Sequence, residues 1–129
     1  YASHVGSAPV ESFSARVRRL FEEPATSVAL VAEVGEAVAG YVVGEVRSWE
    51  FGSEPAGWIF GVSVAPEHEG RGIARSLLAS AVDQLLARGA RTVRTMVSND
   101  DVPVLRLFRN AGFVAGPYTQ LELGPEDER

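Results

Sequence analysis

The sequence predicts a single α/β domain of the layered α+β type, in which helices pack on a mixed β-sheet. Apolar, β-branched runs alternate with segments of helical spacing, and one such run at 58–65 leads through a glycine-rich turn into a strongly amphipathic helix. The 129 residues form one domain, which buries roughly two thirds of its unfolded surface.

The first half of the chain is predicted to form one helix and three strands. Residues 1–10 are small and polar without a period and are expected to form a loose lead-in. At 12–23 the apolar residues recur at helical spacing, and Pro24 ends that pattern. Strands are predicted at 28–34, 37–47 and 58–65, with a loop at 48–57. The third strand is apolar on both faces, which favours a central place in the sheet.

The second half is predicted to alternate helices and strands. From 72 to 88 the apolar residues repeat every three or four positions, and Gly89 stands where a left-handed residue ends a helix. The remaining predicted elements are a strand at 91–97, a short helix at 103–111, closing strands at 113–114 and 118–123, and a charged tail at 124–129.

Composition excludes several classes of function. The formal net charge of −5 argues against a nucleic-acid surface, which needs a basic stripe. Cysteine is absent, and the two histidines, His4 and His68, do not cluster, so no metal site is expected. No apolar run is long enough to span a membrane and no signal-peptide pattern is visible, so we expect a soluble cytoplasmic protein.

The most informative segment is 62–78, which reads VSVAPEHEGRGIARSLL. An apolar strand ends at a proline, Gly70 and Gly72 follow, and the long helix begins. A strand, a glycine turn and a helix N-terminus direct backbone N–H groups at one point, an arrangement typical of phosphate-binding sites. Arg71 and Arg75 can add charge-assisted hydrogen bonds. The segment therefore predicts an anion site.

Two familiar phosphate motifs do not fit this segment. A Walker loop needs a lysine directly after its last glycine, and none stands there. A dinucleotide fingerprint needs a third glycine where Arg75 stands and an acidic residue at the end of the next strand, where 96–98 reads Met-Val-Ser.

The segment instead resembles the pyrophosphate loop of the GNAT superfamily of N-acetyltransferases, whose signature is Q/R-x-x-G-x-G/A at the start of a long helix. Gly72 and Ala74 match its last two positions, whereas Glu69 replaces the first. The stretch 98–113 resembles a second family feature, an asparagine-bearing strand end followed by a short helix and Gly-Phe. The two motifs stand in the expected order, and the resemblance spans about 28–123.

This resemblance implies a mixed, mostly antiparallel sheet with a central splayed pair of parallel strands and with helices on both faces. The splayed strands correspond to 58–65 and 91–97, and acetyl-CoA is the implied co-substrate. The family has a strand before its first helices, whereas none is predicted here before Ser12. Either residues 1–10 contain this strand, or upstream residues are absent, or the sheet is one strand short. The residues implied to bind acetyl-CoA are Val62, Ser63, Val64, Glu69, Gly70, Arg71, Gly72, Ile73, Ala74, Arg75, Asn99 and Phe108.

Acetyl transfer needs a neutral amine, a polarised thioester carbonyl and a proton for the leaving thiolate. A lysine-like amine is neutral in only about one molecule in 2,500 at pH 7, so a base normally assists. The resemblance implies a glutamate near Phe60 and Gly61 and a tyrosine where this chain has Phe108, and both are absent. Glu45 and Tyr118 are the candidate base and acid.

Other residues leave the catalytic assignment open. Glu50 and Glu54 are alternative bases, and water can protonate the thiolate. An α-amine or aryl amine needs less help from a base than lysine does, so such acceptors are predicted to be preferred. Phe108 also fits a core position, and Asn99 also fits a turn or a helix N-cap.

The predicted function is transfer of an acetyl group from acetyl-CoA to the primary amine of a small molecule or peptide, by direct attack in a ternary complex. A backbone N–H near Val62 is the candidate oxyanion donor. One alternative is a non-catalytic acyl-CoA-binding or regulatory module. Another is an interaction domain whose closing strands pair with a second copy in a homodimer. No nucleic acid, membrane or metal is expected as a partner.

Overall fold

Six strands form one sheet whose spatial order follows the chain, β1-β2-β3-β4-β5-β6. The structure is a computed structural model, and it describes residues 7–10, 13–19, 26–48 and 50–125. The strands are β1 Ser7–Val10, β2 Phe13–Arg19, β3 Ser27–Val34, β4 Ala37–Arg47, β5 Ala56–Val64 and β6 Thr92–Thr95. The helices are α1 Ile73–Ala87 and α2 Val102–Asn110, and single 3-10 turns stand at Glu50–Gly52 and Pro66–His68.

The sheet is mixed, with one parallel pair. All neighbours from β1 to β5 run antiparallel, whereas β5 and β6 run parallel. Parallel neighbours need a crossover connection, and α1 supplies it. The predicted fold class, a mostly antiparallel sheet with a parallel pair and packed helices, is confirmed.

The N-terminal region differs from its prediction. The helix predicted at 12–23 is wrong, because β2 occupies Phe13–Arg19 and pairs with β3; residues 20–23 lie outside the described part of the chain. The apolar residues at 13, 15 and 17 also alternate with polar ones at 14, 16 and 18, so a strand period competes with the helical one. The lead-in at 1–10 contains β1, while residues 1–6 are not described.

The core lies between the sheet and α1. Leu77, Leu78 and Leu85 of α1 are completely buried against Leu30 of β3 and other apolar strand residues. Each buried leucine of this kind contributes about 1.5–3 kcal/mol through removal of apolar surface from water. At Gly57 the helix comes so close that an added Cβ would lie 2.9 Å from the Leu85 Cβ atom. The glycine therefore lets α1 pack directly on β5.

The C-terminal segment also departs from its prediction. Residues 113–125 contain no strand, so the closing strands predicted at 113–114 and 118–123 are wrong. Leu121 and Leu123 are 88% and 81% exposed, so the apolar residues that suggested a strand are not buried. An apolar pattern predicts a strand only where a neighbouring strand pairs with it. Residues 126–129 of the predicted charged tail are not described.

In the described ranges, neither α1 nor α2 is long and apolar enough to cross a membrane. Within the same ranges, His, Asp and Glu side chains do not gather in groups of three that could hold a metal ion.

The N-cap of α2 gives a first testable prediction. Asp101 accepts a hydrogen bond from the Val104 backbone N–H at 3.3 Å. Because this bond is long, we expect Asp101→Ala to lower the free energy of unfolding by about 0.5–1 kcal/mol, the lower part of the usual range for N-caps. Chemical denaturation measures the change. Asp100→Ala, one residue earlier and equally exposed, is the control, and an equal loss in both variants would rule out a capping role.

Candidate active site

Parallel pairing between β5 and β6 ends after four residue pairs, while β5 continues to Val64. Pairing runs from Ala56 opposite Thr92 to Ile59 opposite Thr95 and then ends. The Thr95 hydroxyl donates a hydrogen bond of 2.9 Å to the Ile59 carbonyl at the point where this pairing ends. Beyond it, residues 61–64 of β5 pair with β4 alone. Because β6 is the last strand of the sheet and ends at Thr95, the side of β5 that faces away from β4 has no strand partner from residue 60 onward, and this stretch is called the gap.

A β-bulge at Phe60 sets the direction of the backbone beside this gap. Val43 of β4 pairs with Gly61, and the next residue, Gly44, pairs with Ile59, so Phe60 has no partner on β4. A bulge of this kind inserts one residue and bends the strand. The Phe60 side chain is 52% exposed.

Backbone alternation after the bulge assigns the groups that face the gap. The Ala65 N–H donates to the Ala39 carbonyl on β4. An added Cβ at Gly40 of β4 would lie 2.6 Å from the Ser63 carbonyl oxygen, so that carbonyl also faces β4. Because neighbouring residues of a strand point their backbone groups to opposite sides, Val62 and Val64 face the gap. The Ser63 carbonyl thus points away from the gap, and the predicted contacts of Val62, Ser63 and Val64 with a cofactor stay predictions.

The gap leads to the turn between β5 and α1. Gly70 and Gly72 have φ angles of +80° and +82°, which residues with a side chain rarely adopt. An added Cβ would meet nothing within 4 Å at either glycine, so backbone conformation, and not lack of space, requires glycine here. Gly72 is the N-cap of α1 and offers no side-chain cap. By helix geometry the N–H groups of Ile73 and Ala74 have no acceptor within α1.

These elements line a groove of about 180 Å³ at the N-terminus of α1. Two residues of α2 that the sequence did not single out, Leu107 and Asn110, form its far wall. Helical spacing places them on one side of α2, but their position beside α1 depends on tertiary packing. The predicted residues that line the groove are Val64, Glu69, Gly70, Gly72, Ile73, Ala74 and Arg75.

The charges at this groove favour an anion. The N-terminus of α1 carries the positive end of the helix dipole, which is worth about 0.3–1 kcal/mol to a nearby negative group. The exposed side chain of Arg75, in the first turn of α1, lines the groove. Arg71, in the glycine turn before α1, is also exposed. Glu69 opposes this charge, but its side chain is exposed and so is solvated by water.

Five of the predicted residues do not line the groove, namely Val62, Ser63, Arg71, Asn99 and Phe108. Asn99 is exposed in the turn before α2, where Asp101 and not Asn99 caps the helix. Phe108 is 4% exposed, and its ring meets the Phe113 ring edge-on at 5.0 Å. The interpretation of Phe108 as a core residue is confirmed. Contacts of Asn99 and Phe108 with a cofactor stay predictions.

The other face of the sheet carries a network of charged and aromatic side chains. Gly57 and Ile59 face α1, so Trp58 between them faces the opposite side. The Arg47 guanidinium bonds Glu45 at 2.8 Å and Glu50 at 3.2 Å. It also lies 4.8 Å from the centre of the Phe60 ring. The indole N–H of Trp58 donates to Glu50 at 2.6 Å.

This network keeps Arg47 charged and Glu45 in place. The hydrogen bond that Arg47 donates to Glu45 raises the pKa of Arg47 above its ordinary value, and Glu50 adds to the effect. Arg47 is therefore cationic at every pH used for amine chemistry. Because one guanidinium joins two carboxylates, this part of the face carries one net negative charge. The candidate base Glu45 thus lies on the same face of the sheet as Phe60, since Arg47 contacts both side chains.

The candidate acid Tyr118 lies farther along the same face. Its ring packs on Phe51 at 5.4 Å, and the Arg94 guanidinium lies 4.8 Å above it. Phe51 has a φ angle of +54°, a strained value for a residue with a side chain. The Arg94 side chain also donates to the Ser53 hydroxyl at 3.4 Å. The C-terminal segment is thereby fixed to the β4–β5 loop and to β6.

A sequence model described as the acetyltransferase (GNAT) family matches residues 2–113. A protein named Acetyltransferase SG1711, from Sodalis glossinidius, is 35% identical over 91 residues, which are 70% of this chain and 58% of that protein. Mycothiol acetyltransferase of Pseudarthrobacter chlorophenolicus is 30% identical over 109 residues, which are 84% of this chain and 33% of that protein. The chain thus spans about a third to three fifths of the length of these relatives.

Solved structures share the fold. An aminoglycoside N-acetyltransferase, AAC(6')-Iy, in complex with CoA superposes with a TM-score of 0.70 at 18% identity, covering 79% of this chain and 69% of that one. Ribosomal-protein-alanine N-acetyltransferase from Brucella melitensis superposes with a TM-score of 0.66 at 19% identity, covering 79% of this chain and 74% of that one. At these identities the likeness concerns the fold alone.

Proposed function

The chain belongs to the GNAT acetyltransferase family, and from this premise we propose that it transfers an acetyl group from acetyl-CoA to a primary amine. The acceptor is a small molecule or a peptide, and the amine attacks the thioester directly in a ternary complex. We further propose that the protein acts in the cytoplasm, without a metal.

One observation supports this proposal most strongly: the gap beside β5 ends at the glycine turn of α1. A linear carrier with an anionic head fits this arrangement. The pyrophosphate would lie on the backbone N–H groups of the turn and of the first residues of α1, with Arg75 beside it. The amide groups of the pantetheine arm would pair with the gap-facing backbone of Val62 and Val64.

The chemistry follows from the same geometry. The amine lone pair attacks the thioester carbonyl carbon, and the carbonyl oxygen takes up negative charge. The Val62 N–H, which faces the gap, would donate a hydrogen bond to this oxygen, and such donors are worth about 10²–10³ in rate. The carbon–sulfur bond then breaks, and the thiolate takes a proton from water or from Tyr118. The amine proton leaves through water to a carboxylate.

Glu45 is the carboxylate that we propose as that proton acceptor. We expect Glu45→Gln to lower kcat about tenfold while the KM for acetyl-CoA is unchanged, because a base acting through water gives less than a directly bonded one. Steady-state release of free thiol measures both constants. Glu54→Gln is the comparison variant, because Glu54 is an alternative base that pairs with the exposed Arg91 in the neighbouring loop. Equal kcat in the wild type and in Glu45→Gln would exclude Glu45 as the base.

A second function is favoured by one observation, namely that no proton donor stands at position 108. Phe108 is buried in the core, and Glu45 is tied to Arg47. A non-catalytic acyl-CoA-binding module would have these features. It would hold the carrier in the same groove without turning it over.

The deciding experiment combines binding and turnover. Isothermal titration of acetyl-CoA tests the groove, and thiol release across a panel of lysine-like amines, peptide N-termini and aryl amines tests transfer. Binding with transfer supports the enzyme, and among acceptors we expect the less basic α-amines and aryl amines to react faster. Tight binding without transfer to any amine supports the module. Absence of binding would contradict both functions.

A further inference from the structure

Arg94 differs from Arg47 and Arg91, which lie near it on the face of the sheet that carries the Glu45–Arg47–Glu50 network. Arg47 is held by two carboxylates, and Arg91 pairs with Glu54 at 3.1 Å. Arg94 is half-buried, and among the residues that the structure describes it forms no ion pair with a carboxylate. Its neighbours are the Tyr118 ring and the Ser53 hydroxyl, which are both uncharged. Its positive charge is therefore not compensated by those neighbours.

The surroundings of Arg94 hold its guanidinium in one place. The Tyr118 ring lies beneath it at 4.8 Å, and Phe51 packs against that ring. Phe51 keeps a strained backbone conformation with φ at +54°, which persists only where neighbouring contacts enforce it. A cation on an aromatic ring retains its hydrogen-bond donors for another partner. Arg94 is thus a preorganised donor for an anion.

The strand register gives the separation along the sheet between Arg94 and the reacting centre. Arg94 stands opposite Trp58, two residues before Phe60 and four before Val62 on β5. At about 3.3 Å per strand residue, the register of Arg94 lies roughly 7–13 Å from the part of the gap where the thioester would react. Measured between these backbone registers, a molecule that reacts at its amine and also binds Arg94 spans about 10 Å. An extended chain of about three amino acids has this length.

We propose that Arg94 is a specificity-determining residue that binds a carboxylate of the acceptor, so that preferred acceptors carry an acid group about 10 Å from the reacting amine. This inference rests on the proposed acetyltransferase function. A short peptide with a free α-amine and a free C-terminal carboxylate has this chemistry. The Glu45–Arg47–Glu50 network carries a single net negative charge that attracts the amine, and Glu45 pairs with Trp58, the same β5 residue that stands opposite Arg94.

Alanine peptides of increasing length test the proposal, because they vary the distance between the reacting amine and the carboxylate. Alanine, dialanine, trialanine and hexa-alanine are each compared as the free acid and as the C-terminal amide, by thiol release with saturating acetyl-CoA. In trialanine the C-terminus is too far from the α-amine to alter its basicity much, so the acid and the amide differ chiefly in the group offered to Arg94. We expect kcat/KM for trialanine to exceed that for its amide at least about tenfold, the value of one charge-assisted hydrogen bond. Alanine should show no such preference.

Variants at two arginines assign the preference to Arg94. We expect Arg94→Gln to remove the preference, so that trialanine and its amide react with the same kcat/KM, chiefly because KM for the acid rises. Arg94→Lys should retain part of it. Arg91→Gln is the matched control, because Arg91 lies three residues earlier and already has a carboxylate partner, and it should keep the full preference. Acetyl-CoA affinity and thermal unfolding verify that each variant is folded.

The possible outcomes test the role of Arg94 separately from the proposed acetyl transfer. Equal rates on trialanine and its amide in the wild type, or equal loss on both in Arg94→Gln, would overturn the role of Arg94 while acetyl transfer itself stands. If the folded protein acetylates none of these amines and none of the amines in the wider panel, the proposed function fails and the role of Arg94 fails with it. A preference that peaks at trialanine and disappears in Arg94→Gln supports the assignment.

Discussion

Replacing Gly44 by alanine is expected to lower the free energy of unfolding by more than about 2 kcal/mol and to abolish acetyl transfer. An added Cβ at Gly44 would lie 2.4 Å from the Trp58 carbonyl oxygen and 3.4 Å from the Trp58 carbonyl carbon. Both atoms belong to the backbone, so no side chain can move aside and the two strands must separate. Overpacking usually costs about 1–3 kcal/mol, and backbone clashes lie at its upper end.

The loss of activity follows from the position of Gly44 in the sheet. Gly44 is the β4 residue at the register shift, opposite the bulge at Phe60. Movement of β4 here would turn the Val62 N–H away from the gap. Gly61→Ala is the matched control, because its added Cβ would meet Val43 and Tyr41 side chains at ordinary distances of 3.7 and 3.8 Å. Chemical denaturation and thiol release measure both variants, and unfolding curves of Gly44→Ala and Gly61→Ala that coincide would contradict the prediction.

Gly72→Val is expected to reduce the affinity for acetyl-CoA at least about 100-fold. The φ angle of +82° at Gly72 is a genuine outlier for a β-branched residue, so valine would force the turn into another conformation. The N–H groups of the turn and of the first turn of α1 would then no longer converge. Two or more charge-assisted hydrogen bonds to the pyrophosphate would be lost, each worth about 1.5–3 kcal/mol.

The backbone strain can be separated from the effect on the cofactor. Gly35, in the turn between β3 and β4, has a φ angle of +64° and likewise nothing within 4 Å of an added Cβ. Gly35→Val therefore carries similar strain on a turn that does not line the groove. Titration calorimetry should show acetyl-CoA affinity unchanged in Gly35→Val and strongly reduced in Gly72→Val. Equal affinity in both variants would remove the glycine turn from the cofactor site.

Elements with a strong local signal were predictable from the sequence. The helix predicted at 72–88 is α1, Ile73–Ala87, because its apolar residues recur at only one period and glycines bound it. The strand predicted at 37–47 is β4, Ala37–Arg47. In β2 the strand and helix periods coexist in the sequence, and pairing with β3 decides between them. The closing strands failed for the opposite reason, since their apolar pattern has no strand to pair with.

In the candidate site, too, some features were predictable from the sequence and others were not. The glycines of the turn before α1 were recognisable because a left-handed backbone and an N-terminus leave a signature in adjacent residues. Leu107 and Asn110 on the groove wall, and the placing of Arg94 over Tyr118, were not predictable, because they join residues distant in sequence. The backbone direction of Ser63 depends on the bulge at Phe60, which alters the alternation by one residue and has no marker in the sequence.

The end of β6 at Thr95 has a consequence for aggregation. Backbone N–H and C=O groups of Val62 and Val64 point into the gap, so this part of β5 is a stretch of sheet edge of the kind on which foreign strands pair and aggregate. Elsewhere such an edge is shortened, charged or covered. Here it is short, because β6 covers β5 as far as Ile59 and β5 ends at Val64. The same few residues that offer backbone groups to a slender ligand thus leave only a short stretch on which a foreign strand could pair.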